Sequence, residues 1–346
     1  MKYIKKFEEI FEVAKVQPER WWKKYTQYKL SAYPPPAVKE EDVEVDLSGD
    51  INTHPVLTWN SPTTGKKVYS YTKERVDAQK EEKYARVEQL SQGQIEKMTV
   101  ICHDVITSDS SSDLDKQAAT VVSIIAQTGL RPGSKKGFEA THNRGVTTLS
   151  AQNIKISGSK IKFNFTGKSY ADNVAEFEDG AIAHYLTERM KKLKKSDFVF
   201  DISKDKIDSF MKGLPKMSNF KVKDLRTHIA NRIAEDFLEN DPLLPPPVPN
   251  DPKEIKRVVT AKLKKAFEFV SRKLNNTPAM AKHSYVNPVV IIEWLKHLGI
   301  KQTESTVTES KEIGSNQLIG NAPVYKLPEW WDSDEVELIK DLDKST

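Results

Sequence analysis

Arg131, Lys168, Arg226 and Tyr285 stand apart from the apolar stripes of this chain, each beside the end of an expected element or on a polar face. Their types suggest one chemistry. Two guanidinium groups can clamp the non-bridging oxygens of a phosphodiester in its pentacoordinate transition state. A lysine can protonate a departing alkoxide, and a tyrosine can be the covalent nucleophile. The set asks for no metal and no cofactor, and no metal-ligand box is visible; of the 7 histidines, only His228 and His283 fall near these residues. Each residue also has a plainer reading. Arg131 could complement a helix dipole, Arg226 could pair with Asp224 or Glu235 at the surface, Lys168 could be a solvated turn lysine, and Tyr285 could be half-buried packing.

The bulk of the sequence fits a nucleic-acid partner. The 346 residues suffice for two or three domains. No apolar run approaches the roughly 18 residues that would span a bilayer. The segment MKYIKKFEEIFEVAK is charged throughout and lacks an apolar signal core. The single cysteine, Cys102, excludes a disulfide framework or a cysteine metal site. Together these predict an intracellular protein, cytoplasmic or DNA-associated, with no membrane contact. Net charge is +5, unevenly spread: residues 301–346 hold 5 Lys against 10 acidic residues, and residues 1–300 hold 49 basic against 39 acidic, a net +10. A basic body with an acidic tail points to a polyanion.

Several elements must position these residues. Ile4, Phe7, Ile10 and Phe11 mark an amphipathic helix before Pro18. Trp21 and Trp22 read as docking residues more readily than as a stacking pair, and YPPPAVKEEDVEVD reads as an extended linker. VLTW and KKVYSYT flank the turn NSPTTG as a hairpin would. Its alternation puts Lys67, Tyr69 and Tyr71 on one face, suited to a duplex surface or to a plain aromatic sheet face. Residues 79–105 read as helical. A capped helix follows, Ser112 or Asp113 to Gly129, with Ala118, Val121, Val122, Ile125 and Ala126 inward and Arg131 just beyond. GVTTL, NIKIS and KIKFNF read as three strands, the last two joined at Gly158-Ser159, with Lys168 on a tip beyond KIKFNF. MSNFKVKDLRTHIANRIAEDFLEN predicts a helix carrying Leu225, Ile229, Ile233 and Phe237 at near-helical spacing, with Lys223 three residues from Arg226 so that both reach one neighbourhood. After the proline-rich connector DPLLPPPVPNDP, a long helix turns Ile255, Val259, Leu263, Phe267, Val270 and Leu274 inward. Thr277-Pro278 and Asn287-Pro288 each start a short helix, and Tyr285 falls between them.

TGLRPG, GVTTL, KIKFNFTGKSY, KDLRT and LNNTPAMAKHSYVNP stand in the order typical of type IB DNA topoisomerases, members of the DNA breaking-rejoining superfamily that includes tyrosine recombinases. The chain resembles the compact poxviral and bacterial members over roughly residues 55–300. GKKVYSY followed by KYARVEQL is similar to the end of that family's small DNA-binding domain. The resemblance implies Tyr285 as the nucleophile forming a 3′-phosphotyrosyl link, Arg131 and Arg226 as the transition-state arginines, and Lys168 as the general acid for the 5′-oxygen. It places Asn276 where poxviral and nuclear enzymes carry histidine, and where bacterial ones often carry asparagine. Lys223 matches an auxiliary basic position, and Tyr69, Tyr71, Lys67 and Lys136 would contact DNA. A recombinase usually carries histidine three residues before the second arginine, where this chain has Lys223. A non-catalytic DNA-binding homologue is the other alternative.

The expected fold is therefore α+β. An N-terminal helix and linker, 1–50, precede a small β-rich DNA-binding domain, 51–90. A mainly helical catalytic domain with an antiparallel hairpin unit, 91–300, leads into an acidic tail, 301–346. The β-rich domain and the catalytic domain would close as a bilobed clamp on double-stranded DNA, with residues 1–50 unassigned, acting as a monomer that relaxes supercoils without ATP or metal. The tail carries Trp330, Trp331, Val336, Leu338, Ile339 and Leu342, and would dock on the chain's own basic surface or bind a protein partner.

Overall fold

In NSPTTG, Gly65 takes a left-handed φ of +65° and its N–H donates to Ser61 O at 2.7 Å, so the chain reverses here. This turn lies in the first of two units, Met1–Ala85 and Arg86–Thr346. The computed structural model describes residues 20–63, 65–168, 171–240 and 252–298. The expected N-terminal helix, the proline-rich connector and the acidic tail lie outside them.

The first unit has an antiparallel sheet in the order β1 (Val43–Val45), β2 (Leu57–Asn60), β3 (Lys67–Ser70). Ser70 is buried and Val68 partly so, while Lys67 and Tyr69 face out, as the alternation predicts. Leu30, Val38, Val56, Leu57 and Trp59 form the core. The expected linker is in fact part of this unit. Trp21 Nε1 donates to Val38 O at 3.2 Å, and Trp22 Nε1 donates to Pro34 O at 2.9 Å. Trp22 also stacks on Tyr33 with ring centroids 4.6 Å apart. The two indoles thus dock the proline stretch. They also leave β1 free to add to the sheet, a strand too short and too acidic to be read from its pattern.

The helix α1 (Lys73–Glu88) carries the chain into the second unit, so the division falls at Ala85/Arg86 rather than at residue 90. It is followed by α2 (Gln92–Thr107), α3 (Asp113–Thr128) and α4 (Lys135–Thr141), then β4 (Ile154–Ser157), β5 (Lys160–Thr166) and β6 (Asp172–Glu178). The helices α5 (Gly180–Met190), α6 (Lys204–Gly213), α7 (Val222–Asn240), α8 (Pro252–Lys273), α9 (Pro278–Ser284) and α10 (Pro288–His297) complete it. One core joins α2, α3, α5 and α6 to the sheet through residues such as Ile124, Ile125, Phe163 and Phe200. A second joins α7–α10 through Ala230, Ala234, Leu263, Val270, Val286 and Ile291. An α+β architecture with two small antiparallel sheets is what the sequence predicts.

Three local expectations need correction. The helix expected over 79–105 is two helices, because Ser91 starts a new one. Its hydroxyl accepts from Gln94 N–H, and the Gln94 side chain accepts from Ser91 N–H at 2.8 Å, a capping box that stops α1 from running on. GVTTL is not a strand: Val146–Thr148 is a buried 3-10 turn, closed by Thr148 Oγ1 accepting from Gly145 N–H at 2.9 Å. The third strand is β6, paired with β5 so that Phe163 faces Ala175 and Ile161 faces Phe177. Its apolar pattern is inverted at one end, where Asn173 is buried and Val174 is 49% exposed. Hydropathy alternation is blind to such a strand.

Cys102 lies fully inside the first of these cores, and burial pushes its thiol up to about 12. An aromatic disulfide reagent at pH 8 should leave the native protein unlabelled and modify its one thiol after denaturation. Labelling of the native form at the rate of a free thiol would contradict this burial.

Candidate active site

Arg226 is the most constrained residue of the candidate set. It belongs to a line along α7, Val222, Arg226, Ala230, Ala234 and Leu238, whose members are all buried. Alanines in this line let neighbouring helices approach closely, and Arg226 is left only 3% exposed. Its Nη1 donates to Gly129 O, and its Nη2 donates to Leu274 O at 2.7 Å. Gly129 is the left-handed C-cap of α3, and Leu274 follows the end of α8. Helix C-termini carry unpaired carbonyls and partial negative charge, so both suit a cation. Burial holds the guanidinium below its usual range, the nearby Tyr285 side chain opposes this, and the like charge of Arg131 adds to it. The Tyr285 ring lies against the guanidinium, 4.9 Å from its carbon to the ring centroid. Arg226 Nε is buried with no protein partner.

Burial also disposes of the surface pairing considered for Arg226. Asp224 instead accepts from Arg86 Nε at 2.9 Å and Nη2 at 3.1 Å, and from Lys221 N–H at 2.9 Å. Asp208 accepts from Val222 N–H at 2.8 Å. Two carboxylates thus satisfy amides at the start of α7 and place Arg226 one turn in. Lys223, three residues before Arg226 on the same helix, is exposed.

Tyr285 is held from both sides. Thr277 caps α9, its hydroxyl accepting from Met280 N–H at 3.2 Å with Pro278 in the first turn. Tyr285 N–H closes the helix on Ala281 O at 3.2 Å. Val286 is fully buried, and Asn287 caps α10 by accepting from Val289 N–H at 3.2 Å. Asn287 N–H donates to Asn231 Oδ1 at 2.8 Å, and its Nδ2 donates to Glu88 Oε1 at 2.6 Å. Asn276, on the turn after α8, is tied by its N–H to Ser271 O at 2.9 Å. Both polar atoms of its side chain are buried and unpaired by protein. A buried free amide is costly unless something polar meets it.

Arg131, partly exposed, sits on a loop pinned by the 3-10 turn: Val146 N–H donates to Arg131 O at 2.9 Å, and Thr147 N–H to Pro132 O at 2.8 Å. The two backbones pass so closely that a Cβ on Gly145 would lie 2.6 Å from Gly133 Cα. Lys168 is exposed at the β5–β6 tip, where its carbonyl accepts from Ala171 N–H at 3.4 Å; the next two residues lie outside the described ones. The structure therefore brings Arg131, Arg226 and Tyr285 together and puts Asn276 two residues beyond Leu274. Lys136 is exposed on α4. In the first unit Tyr69 is 51% exposed, Lys67 pairs with Glu44 at 3.6 Å, and Tyr71 lies under the Arg75 guanidinium at 5.1 Å. Sequence reasoning missed Arg86, Glu88, Asp224, Asn231 and Asn287. Only Asn287 carries a local signal, as the residue before a helix-starting proline. Among the described residues no group of three or more His, Cys, Asp or Glu could hold a metal, and no helix is long and apolar enough to cross a membrane.

A buried arginine against a tyrosine, with the charge of a second arginine close by, is an arrangement able to receive a tetrahedral anion next to a phenol. The chain belongs to the family described as eukaryotic DNA topoisomerase I, catalytic core, which matches residues 70–311, more than half of its length. Two crystal structures of the XerH site-specific recombinase also show similarity. One is a post-cleavage complex with palindromic difH substrate, at 14% identity and a TM-score of 0.37 over 57% of this chain and 48% of that one. The other is a pre-cleavage complex with difH substrate, at 16% identity and 0.31 over 42% of each. This chain thus spans about half the length of the recombinase or less. No curated protein matches it.

Two outcomes follow for stability. Gly145→Ala would drive a methyl into the Gly133 backbone, and should cost about 1–3 kcal/mol in denaturant unfolding; an unchanged midpoint would contradict the close approach. Burial, with Arg232 nearby, lowers the pKa of His228 below the usual 6.5. The unfolded chain then binds the proton more readily, so this contribution to stability is present above about pH 6.5 and is lost as pH falls through the folded value. His228→Gln should flatten the stability profile below about pH 6.5, measured by thermal melts.

Proposed function

We propose that this chain is a type IB DNA topoisomerase. Tyr285 Oη attacks a backbone phosphodiester of duplex DNA, forming a 3′-phosphotyrosyl bond as the bond to the 5′-oxygen breaks. Lys168 gives the departing oxygen its proton. Arg131, Arg226 and the Asn276 amide hold the non-bridging oxygens as charge grows on them. The free strand rotates, and its 5′-hydroxyl attacks back to reseal and release Tyr285. The phosphotyrosyl link conserves the bond energy, so the cycle needs neither ATP nor metal. Lys223, Lys136, Lys67, Tyr69 and Tyr71 contact phosphate and sugar, making affinity salt-dependent.

One observation carries the proposal: a nearly buried guanidinium lies against Tyr285, with the charge of Arg131 close by. A merely structural arginine has no use for a second positive charge beside it. Family membership supports the same reading.

Plasmid relaxation without ATP and with chelator tests the proposal. Wild type should relax supercoiled plasmid, while Tyr285→Phe should neither relax it nor form a covalent adduct. Arg226→Ala should lose about 10²–10³-fold, the usual loss on removing a transition-state donor. Inert wild type, or an active Tyr285→Phe, would sink the reading. Strand exchange between duplexes in place of relaxation would favour a recombinase.

A further inference from the structure

The last turn of α1 reaches both supports of the candidate site. Arg86 forks onto Asp224, two residues before Arg226. Glu88 accepts the 2.6 Å hydrogen bond from Asn287, two residues after Tyr285. Glu88 is otherwise badly placed: it is exposed, and its carboxylate ends a helix whose C-terminus is already the negative pole. What it secures is Asn287, 3% exposed, whose amide would otherwise bury an unmatched donor.

We infer that Glu88, acting through Asn287, is a positioning residue for Tyr285; the inference rests on the reading of Tyr285 as nucleophile. Asn287 has three anchors, in Asn231, Glu88 and the N–H of Val289, and only Val286 separates it from Tyr285. A cavity of ≈ 290 Å³ borders Glu88, Asn231, Asn287, Val289, Val290 and Trp294. On that side the hydrogen bonds of Asn287 add to the packing of Val290 against the second core, with the cavity beside them. Without the Glu88 anchor, α10 can settle toward the cavity and draw Tyr285 off its line of attack. A displacement of about 1 Å from a reactive geometry can cost on the order of a hundredfold in rate.

Single-turnover cleavage of a duplex oligonucleotide, beside DNA affinity and thermal melting, tests this. Glu88→Ala should slow cleavage by at least about tenfold, while DNA affinity stays within about twofold and the protein still melts cooperatively. Asn287→Asp keeps the cap on Val289 but sets two carboxylates against each other, and should be slower still. Adding Glu88→Gln to Asn287→Asp should restore most of the rate, because the glutamine amide now donates to the aspartate. A wild-type rate in Glu88→Ala, or a double variant no faster than Asn287→Asp alone, would overturn the inference while leaving Tyr285 as nucleophile. An active Tyr285→Phe would instead remove the reading on which it stands.

Discussion

The buried charge of Arg226 is the constraint that organises the second unit. A guanidinium taken out of water must recover its solvation from fixed partners, or its helix cannot pack. Here two carbonyls, at Gly129 and Leu274, receive it. Both belong to helix ends, so α3 and α8 must stop in the same place. Gly129 serves this in two ways: it adopts φ +64° to end α3, and it has no Cβ, which would lie 2.7 Å from Leu274 Cδ2. Arg226 is thus a structural keystone as well as a candidate ligand for anions, and its unpaired Nε is the part left for something else.

The other groups are fixed by means suited to their places. Arg131 rides a loop stapled by two glycines and a 3-10 turn. Tyr285 lies between a helix end and the polar anchors of Asn287. Asn276 keeps an amide free in a buried position. Lys168 stands exposed at the β5–β6 tip, where its carbonyl accepts from Ala171 N–H and Gly167 N–H donates to Ala171 O. In the reading proposed above, the buried arginine that must be preorganised is locked by its carbonyl partners.

Much of this was legible in the sequence because it is local. The Ser112 cap, the Gly129 stop, the Gly158-Ser159 turn and the Thr277-Pro278 helix start each depend on a few adjacent residues, and each is found as expected. What failed was non-local. β6 buries an asparagine and exposes a valine, which only its partner strand can explain. GVTTL is rich in β-branched residues yet curls, because Gly145 must pass against Gly133. On α7 the apolar line Leu225, Ile229, Ile233, Phe237 stands at helical spacing, yet Ile229, Ile233 and Phe237 pack against the second core only partly buried. The fully buried line is the alanine-rich one headed by Arg226. Close helix packing selects small residues there, and hydropathy undervalues them.

The sequence by itself determined the residue types, most of the helices with their caps, and Arg131, Lys168, Arg226 and Tyr285 as a possible phosphodiester site. These follow from side-chain chemistry and short-range caps and turns. The tertiary structure alone decided which of them meet. It sank Arg226 beneath Tyr285 and turned Lys223 outward from the same helix. It also recruited Arg86 and Glu88, far away along the chain, to hold Asp224 and Asn287. The physical reason is that a buried charge or amide must find its partners wherever packing brings them, and no spacing along a chain encodes that.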